Sequence, residues 1–139
     1  MNDGQAQTVT SEIIARIDGA AGRITLNRPK ALNALNFAMV RAMTVALAEW
    51  RDDPRVRHVV IDGAGERAFC AGGDIRAVYD AIAADPELAR DFWRAEYRLN
   101  AMIAIMSLQL PVSSRVRTIG RSASIARRSP NAAIARRRT

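Results

Sequence analysis

The chain alternates between apolar segments with the spacing of strands and apolar segments with the spacing of helices. Residues 12–18 and 23–26 are two short runs on either side of a Gly-Ala-Ala-Gly turn, which predicts a β-hairpin. Residues 58–62, His-Val-Val-Ile-Asp, predict a buried strand later in the chain. Together with the helices below, this order predicts an α/β fold.

Three helices are predicted from apolar residues at helical spacing. The first is capped by Asn36 and runs to about Arg51, before an Asp-Asp-Pro stop. The second covers residues 75–84, and the third runs from Glu87 to about Ile105. Six residues of the third lie on or near one face: Leu88, Phe92, Ala95, Leu99, Met102 and Met106. We expect this stripe and the two tryptophans to form core rather than a cofactor site.

A glycine turn between the buried strand and the second helix is the main candidate for chemistry. Residues 68–77, AFCAGGDIRA, end at a helix that Asp74 can cap. The amides of Gly72, Gly73 and Asp74 are then expected at a positive helix end, where glycine permits close approach of an anion or a thioester oxygen. A Gly-Gly-Asp turn before a helix is also common as a plain turn, so the geometry alone leaves both interpretations open.

Positive charge is concentrated at the C-terminal end. The net charge is +7, but residues 111–139 contain eight arginines and no acidic residue, which leaves −1 for residues 1–110. Because this segment lacks apolar periodicity, we expect an Arg-rich tail over residues 106–139 that is disordered and lies outside an ordered domain of residues 11–105. The tail has no aromatic residue for stacking on bases, so nucleic acid is not the expected partner.

Other features exclude several classes of protein. The polar N-terminus is unlike a secretory signal, no apolar run has transmembrane length, and a membrane partner is therefore not expected. The single cysteine, Cys70, fits a reducing cytoplasm and is interpreted as a small apolar filler rather than a nucleophile. The single histidine, His58, is interpreted as a strand residue, and one Cys with one His predicts no metal site.

Two blocks of sequence resemble the crotonase (enoyl-CoA hydratase/isomerase) superfamily. They are ITLNRPKALNALN at residues 24–36 and HVVIDGAGERAFCAGGDIRAVYDA from residue 58. The second block and DFWRAEYRLN at residues 91–100 are most similar to the 3-hydroxyisobutyryl-CoA hydrolase branch, with enoyl-CoA hydratase as the close alternative. The resemblance covers roughly residues 11–103 and implies the N-terminal part of the ββα spiral fold. It also implies an acyl-CoA substrate with no separate cofactor; oligomerisation is left open.

The resemblance also implies roles for particular residues. The amide of Gly73 would be one of two donors to the thioester oxygen. Coenzyme A contacts would involve two groups of residues: Lys30, Ala31 and Leu32, then Ala71, Gly72, Gly73 and Asp74. Lys30 is suited to the nucleotide phosphates, although a solvent-exposed lysine after proline is an equal alternative, and Arg28 is a second candidate by position. Asp74 and Glu66 are interpreted as a helix cap and a solvated loop residue rather than as an acid-base pair.

Parts of the family site have no counterpart in these residues. After Gly73 the chain has one glycine, Gly120, and no acidic residue follows Glu96. The resemblance implies a second oxyanion donor in a later glycine-rich loop and catalytic carboxylates beyond that loop. Neither has a counterpart here, so we expect no enzymatic turnover. Our hypothesis is that the chain departs from the family sequence near residues 103–105 through a frameshift or an altered end. Translation of the encoding DNA in all three frames tests this hypothesis.

A function of another class is also open. A non-catalytic basic protein would bind nucleic acid or other polyanions through its tail, in a salt-sensitive and sequence-independent way. Saturable coenzyme A binding would favour the acyl-CoA enzyme instead.

Overall fold

The backbone forms one mixed sheet with helices packed against it. The computed structural model describes residues 6–110 and 112–116. The sheet has the order β1-β2-β3-β4-β5, with β1–β3 antiparallel and β4 and β5 added in parallel. The strands are β1 (Ala6–Thr10), β2 (Ile13–Asp18), β3 (Ala21–Leu26), β4 (His58–Gly63) and β5 (Val112–Val116). The predicted hairpin is thus confirmed as β2 and β3, and the predicted buried strand as β4.

Three helices form the crossovers between the parallel strands, as parallel pairing requires. Helix α1 (Phe37–Arg51) joins β3 to β4, and α2 (Ile75–Ala84) and α3 (Pro86–Gln109) join β4 to β5. Each begins with a side-chain cap: Asn36 accepts from the Met39 amide at 2.9 Å, Asp74 from the Ala77 amide at 3.0 Å, and Asp85 from the Glu87 amide at 2.9 Å. The predicted bounds of α1 and α2 are confirmed.

The core lies between the sheet and the apolar faces of α1 and α3. Ile13, Ile24 and Val59 of the sheet are fully buried, as are Met39, Val40 and Leu47 of α1. Helix α3 contributes Phe92, Leu99 and Met106, and Phe92 packs edge-to-face on Phe37 and Trp93. This packing fixes the face of α3 that lies beside the glycine turn.

The predicted end of the third helix near Ile105 is wrong, and a further strand follows that helix. Helix α3 continues to Gln109, and β5 pairs in parallel with β4 from Val59–Val112 to Gly63–Val116. Backbone hydrogen bonds to β4 form without apolar alternation, so sequence periodicity did not reveal this strand. The predicted disorder of residues 117–139 lies outside the described residues.

Two smaller differences concern β1 and α3. Strand β1 was not predicted, because its sequence Ala-Gln-Thr-Val-Thr is largely polar and its hydrogen bonds come from pairing with β2. On α3, which packs against α2, Leu88 of the predicted stripe is 45% exposed and its neighbour Ala89 is buried instead. Within the part of the chain that the structure describes, no helix is long and apolar enough to cross a membrane.

Candidate functional site

Two loops that are distant in sequence pair side by side at the start of α2. The Leu35 amide donates to the Gly72 carbonyl at 2.8 Å, and the Asp74 amide donates to the Leu35 carbonyl at 2.8 Å. The Ala71 amide donates to the Leu32 carbonyl at 3.0 Å. We call this paired contact between residues 32–35 and residues 71–74 the seam. The two segments predicted to contact coenzyme A are therefore adjacent in space.

The pairing determines where the amide of Gly73 points. Leu35 and Gly73 form a parallel bridge in which Leu35 bonds to the residues on either side of Gly73. In such a bridge, the N-H and C=O of the bracketed residue point away from the partner strand. The Gly73 amide donates to no other group among the described residues, so it is available to a ligand.

Of the three amides expected at this helix end, two are used within the protein. The Asp74 amide is used by Leu35, and the Gly72 amide lies 3.3 Å from the Cys70 sulfur, which accepts from it. Gly72 has φ of 91°, a backbone conformation that favours glycine. The turn therefore presents one donor, at Gly73.

Helix α3 lies on the side of Gly73 from which a side chain would project. A Cβ atom built on Gly73 would lie 3.2 Å from Oε1 of Glu96 and 3.4 Å from two ring carbons of Phe92. Glu96 makes no hydrogen bond or ion pair within the described part of the chain, whereas Phe92 is held in the core. A carboxylate and an aromatic ring therefore lie next to the residue that carries the free amide.

Glu96 and Phe92 were not among the residues predicted for the site. A signal was present, because Glu96 lies four residues after Phe92 and three before Leu99, on the edge of the predicted buried face. A carboxylate within an apolar stripe is unusual unless it has a partner or a role. Locating that role required the position of α3 relative to the glycine turn.

Arg28 is not free to bind phosphate. Its guanidinium lies 2.6 Å from Asp74 Oδ2 and 3.2 Å from Glu12 Oε1. The Ala77 amide and Arg28 together lower the pKa of the Asp74 carboxyl, since both favour its charged form. Asp74 is confirmed as a helix cap and is also half of a largely buried ion pair.

The segment around Lys30 lies on the other side of the same seam. Pro29–Ala31 form a 3-10 turn, and Leu32 and Asn33 follow with φ of 54° and 55°. Asn33 is fully buried and its side-chain amide donates to the Ala64 and Ala68 carbonyls, both at 2.9 Å. Lys30 is exposed and forms no ion pair within the described part of the chain, which fits both interpretations of this lysine.

The surroundings of Cys70, Glu66 and His58 agree with the structural interpretation of each residue. Cys70 packs against the core, and burial raises the pKa of its thiol, with the negative charge of Glu96 adding to the effect. Glu66 is exposed in its loop, and His58 lies on β4. Among residues 6–110 and 112–116, no three His, Cys, Asp or Glu side chains are grouped to hold a metal ion.

Comparison with known proteins matches most of the described chain to one family. The family model described as enoyl-CoA hydratase/isomerase matches residues 21–112. The 3-hydroxyisobutyryl-CoA hydrolase of Xenopus tropicalis, named as mitochondrial, is 59% identical over 85 residues, covering 61% of this chain and 22% of that protein. The human enzyme of the same name is 46% identical over 100 residues, covering 72% of this chain and 25% of its own length.

Solved structures agree in fold. A carnitinyl-CoA dehydratase from Mycobacterium thermoresistibile has a TM-score of 0.70 and 46% identity, covering 76% of this chain and 30% of that one. An enoyl-CoA hydratase from Rhodobacter sphaeroides 2.4.1 has a TM-score of 0.67 and 50% identity, covering 75% and 31%. The chain spans about a quarter of the length of these curated relatives. The resemblance to the crotonase superfamily and its α/β fold is confirmed.

Proposed function

The chain belongs to the enoyl-CoA hydratase/isomerase family, and we propose that it carries the acyl-CoA-binding part of a thioester-processing site of 3-hydroxyisobutyryl-CoA hydrolase type. The observation that carries the proposal is the amide of Gly73, which the bridge to Leu35 leaves available beside a carboxylate and an aromatic ring.

The Gly73 amide would donate to the thioester oxygen. That oxygen gains negative charge when its carbonyl carbon is attacked or its α-carbon is deprotonated. A fixed backbone donor at the start of α2, where the helix dipole is positive, stabilises such charge. Gly73 is therefore proposed as the one oxyanion donor among residues 6–110 and 112–116.

Glu96 would face the acyl group. Its carboxylate lies beside the Gly73 position and lacks a partner among the described residues, so it can accept a hydrogen bond from a hydroxyl on the acyl chain. Phe92 would supply an apolar surface next to it. This pair of neighbours supports a hydroxyacyl substrate.

The remaining contacts would hold the rest of coenzyme A. Lys30 is exposed next to the seam and is proposed to pair with phosphate, while Ala31, Leu32, Ala71, Gly72 and Asp74 line the same seam. Asp74 would act through its position at the turn, because both of its carboxylate oxygens are already used by protein groups.

We expect binding without enzymatic turnover from these residues. No second glycine-rich loop follows Gly73, and no acidic residue follows Glu96. Loss of one oxyanion donor costs on the order of a hundredfold in rate, and missing acid-base groups cost roughly a hundred- to ten-thousandfold more. Turnover near one per second on 3-hydroxyisobutyryl-CoA would contradict this, and Glu96 would be the first residue to test.

Calorimetry with acetyl-CoA and with free coenzyme A tests the proposal. Saturable binding of both is expected, with the thioester bound more tightly because only it offers a carbonyl to Gly73. The same titrations in excess heparin control for attraction to the basic residues 111–139, since polyanion binding of that kind would be displaced. Absence of heparin-resistant binding would refute the proposed function.

Enoyl-CoA hydratase is the alternative within the family, supported by the 50% identity to the Rhodobacter sphaeroides enzyme. A Glu96→Leu variant separates the two, because it removes the acceptor: weaker binding of 3-hydroxyisobutyryl-CoA with unchanged binding of crotonyl-CoA is expected only if Glu96 accepts from the hydroxyl. A cytoplasmic location is also a proposal, to be tested by cell fractionation, since the vertebrate relatives are named as mitochondrial.

A further inference from the structure

The side chain of Arg28 connects three separate segments around the glycine turn. Its Nε lies 3.2 Å from Glu12 Oε1, in the turn between β1 and β2. Its Nη1 lies 2.6 Å from Asp74 Oδ2 and donates to the Ala34 carbonyl at 3.1 Å. The side chain of Arg28 is 25% exposed and that of Asp74 is 14% exposed, so solvent only partly screens this ion pair.

These contacts act on the two residues that flank the Leu35–Gly73 bridge. Ala34 directly precedes Leu35, and Asp74 directly follows Gly73. Asp74 is held from a second side because its Oδ1 accepts from the Ala77 amide at 3.0 Å. The guanidinium group of Arg28 therefore contacts both segments of the bridge, and the bridge determines the direction of the Gly73 amide.

The backbone of Arg28 is fixed as well. Its amide donates to Oδ1 of Asn33 at 2.9 Å, and the other end of that buried side chain holds the loop after β4. Glu12 is restrained in turn by Asn36, whose side-chain amide donates to Glu12 Oε2 at 2.6 Å. Arg28 is thus held rigidly at the centre of the network.

We propose that Arg28 is a positioning residue for acyl-oxygen recognition, acting through Asp74 and Ala34 to hold the Gly73 amide towards the thioester carbonyl. This inference rests on the proposed function. A lysine would not replace it, because a single ammonium group lacks the planar set of donors that reaches two carboxylates and a carbonyl at once. Phosphate binding is then left to Lys30.

The test compares Arg28→Lys and Arg28→Met with the matched control Arg90→Met. Arg90 forms an exposed ion pair with Glu87 on α3, so its replacement removes the same charge without touching the hydrogen bonds around Arg28. The first measurement, made without ligand, is the amide chemical shift and hydrogen-exchange rate of Gly73. The second is the ratio of acetyl-CoA to coenzyme A affinity.

Both Arg28 variants are expected to move the Gly73 amide resonance and to lower the affinity ratio by up to about tenfold, the value of one hydrogen bond. The Arg90 variant should change neither. Arg28→Lys keeps the charge and allows the test if Arg28→Met does not fold. An unchanged Gly73 resonance and ratio in a folded Arg28 variant would overturn the inference.

Failure of the proposed function gives a different result. If the wild-type protein binds neither ligand, the proposed function is refuted, while the Gly73 resonance still reports whether Arg28 positions the turn. If the wild type binds acetyl-CoA and the Arg28 variants lose coenzyme A and acetyl-CoA affinity equally, Arg28 does not act on the carbonyl and the inference is wrong.

Discussion

Replacement of Gly73 is the most direct test of the candidate site, and the structure sets the size of the effect. An added Cβ would lie 3.2 Å from Glu96 Oε1 and 3.4 Å from Cε1 and Cζ of Phe92. Glu96 is partly exposed and its carboxylate ends a flexible side chain, so it can move by the few tenths of an ångström required. Gly73→Ala is therefore expected to cost less than about 1 kcal/mol of stability.

Gly73→Val should behave differently. Its extra methyl groups would press on Phe92, which is 4% exposed and is packed edge-to-face against Phe37 and Trp93 with centroids 6.1 and 5.3 Å away. Because this ring has no room to move, overpacking is expected to cost about 1–3 kcal/mol. The valine would also block approach of a ligand to the amide, so acetyl-CoA affinity should fall at least tenfold.

Urea unfolding measures the first effect and calorimetry the second. Ala83→Val, at an exposed position of α2, is the control for adding a branched side chain. Its expected cost is about 0.5 kcal/mol from helix propensity, with no change in affinity. Equal stability and affinity of Gly73→Val and Ala83→Val would refute the geometry derived for this turn.

Three further predictions concern groups outside the donor itself. Arg23→Met should lower the free energy of unfolding, measured in urea, by about 3–5 kcal/mol. The reason is that Arg23, whose Nη1 lies 2.9 Å from Asp62 Oδ2, is the charge partner of this fully buried carboxylate. A loss below about 1 kcal/mol would contradict this. The pKa of Asp74 is lowered by the Ala77 amide and Arg28, so its stabilising effect is present above the unfolded value near 3.9 and is lost as pH falls through the lower folded value. The stability gap between wild type and Asp74→Asn should therefore be constant from about pH 5 to 7 and shrink below about pH 4, and a gap independent of pH would be inconsistent with an ionised cap. Burial raises the pKa of Cys70, so its alkylation by iodoacetamide at pH 8 should be slower than that of free cysteine, and an equal rate would indicate an exposed thiol.

The local elements followed from the sequence because their causes are local. The caps Asn36 and Asp74 and the stop after Arg51 depend on neighbouring residues, and the structure has α1 and α2 with the predicted bounds. The hairpin of β2 and β3 and the buried strand β4 followed from short-range spacing for the same reason. Similarity of the two sequence blocks to a known family also indicated the α/β fold.

Tertiary structure decided which groups at the turn are free and which face them. The sequence placed three amides near a helix start, but pairing with Leu35 and contact with Cys70 left only that of Gly73. Glu96 lies at the site because α3 packs beside Gly73. Arg28 is not a candidate phosphate ligand because it pairs with Asp74 and with Glu12 from the turn after β1. Edge strand β1 and strand β5 likewise depend on hydrogen bonds from partner strands, which no pattern within either segment records.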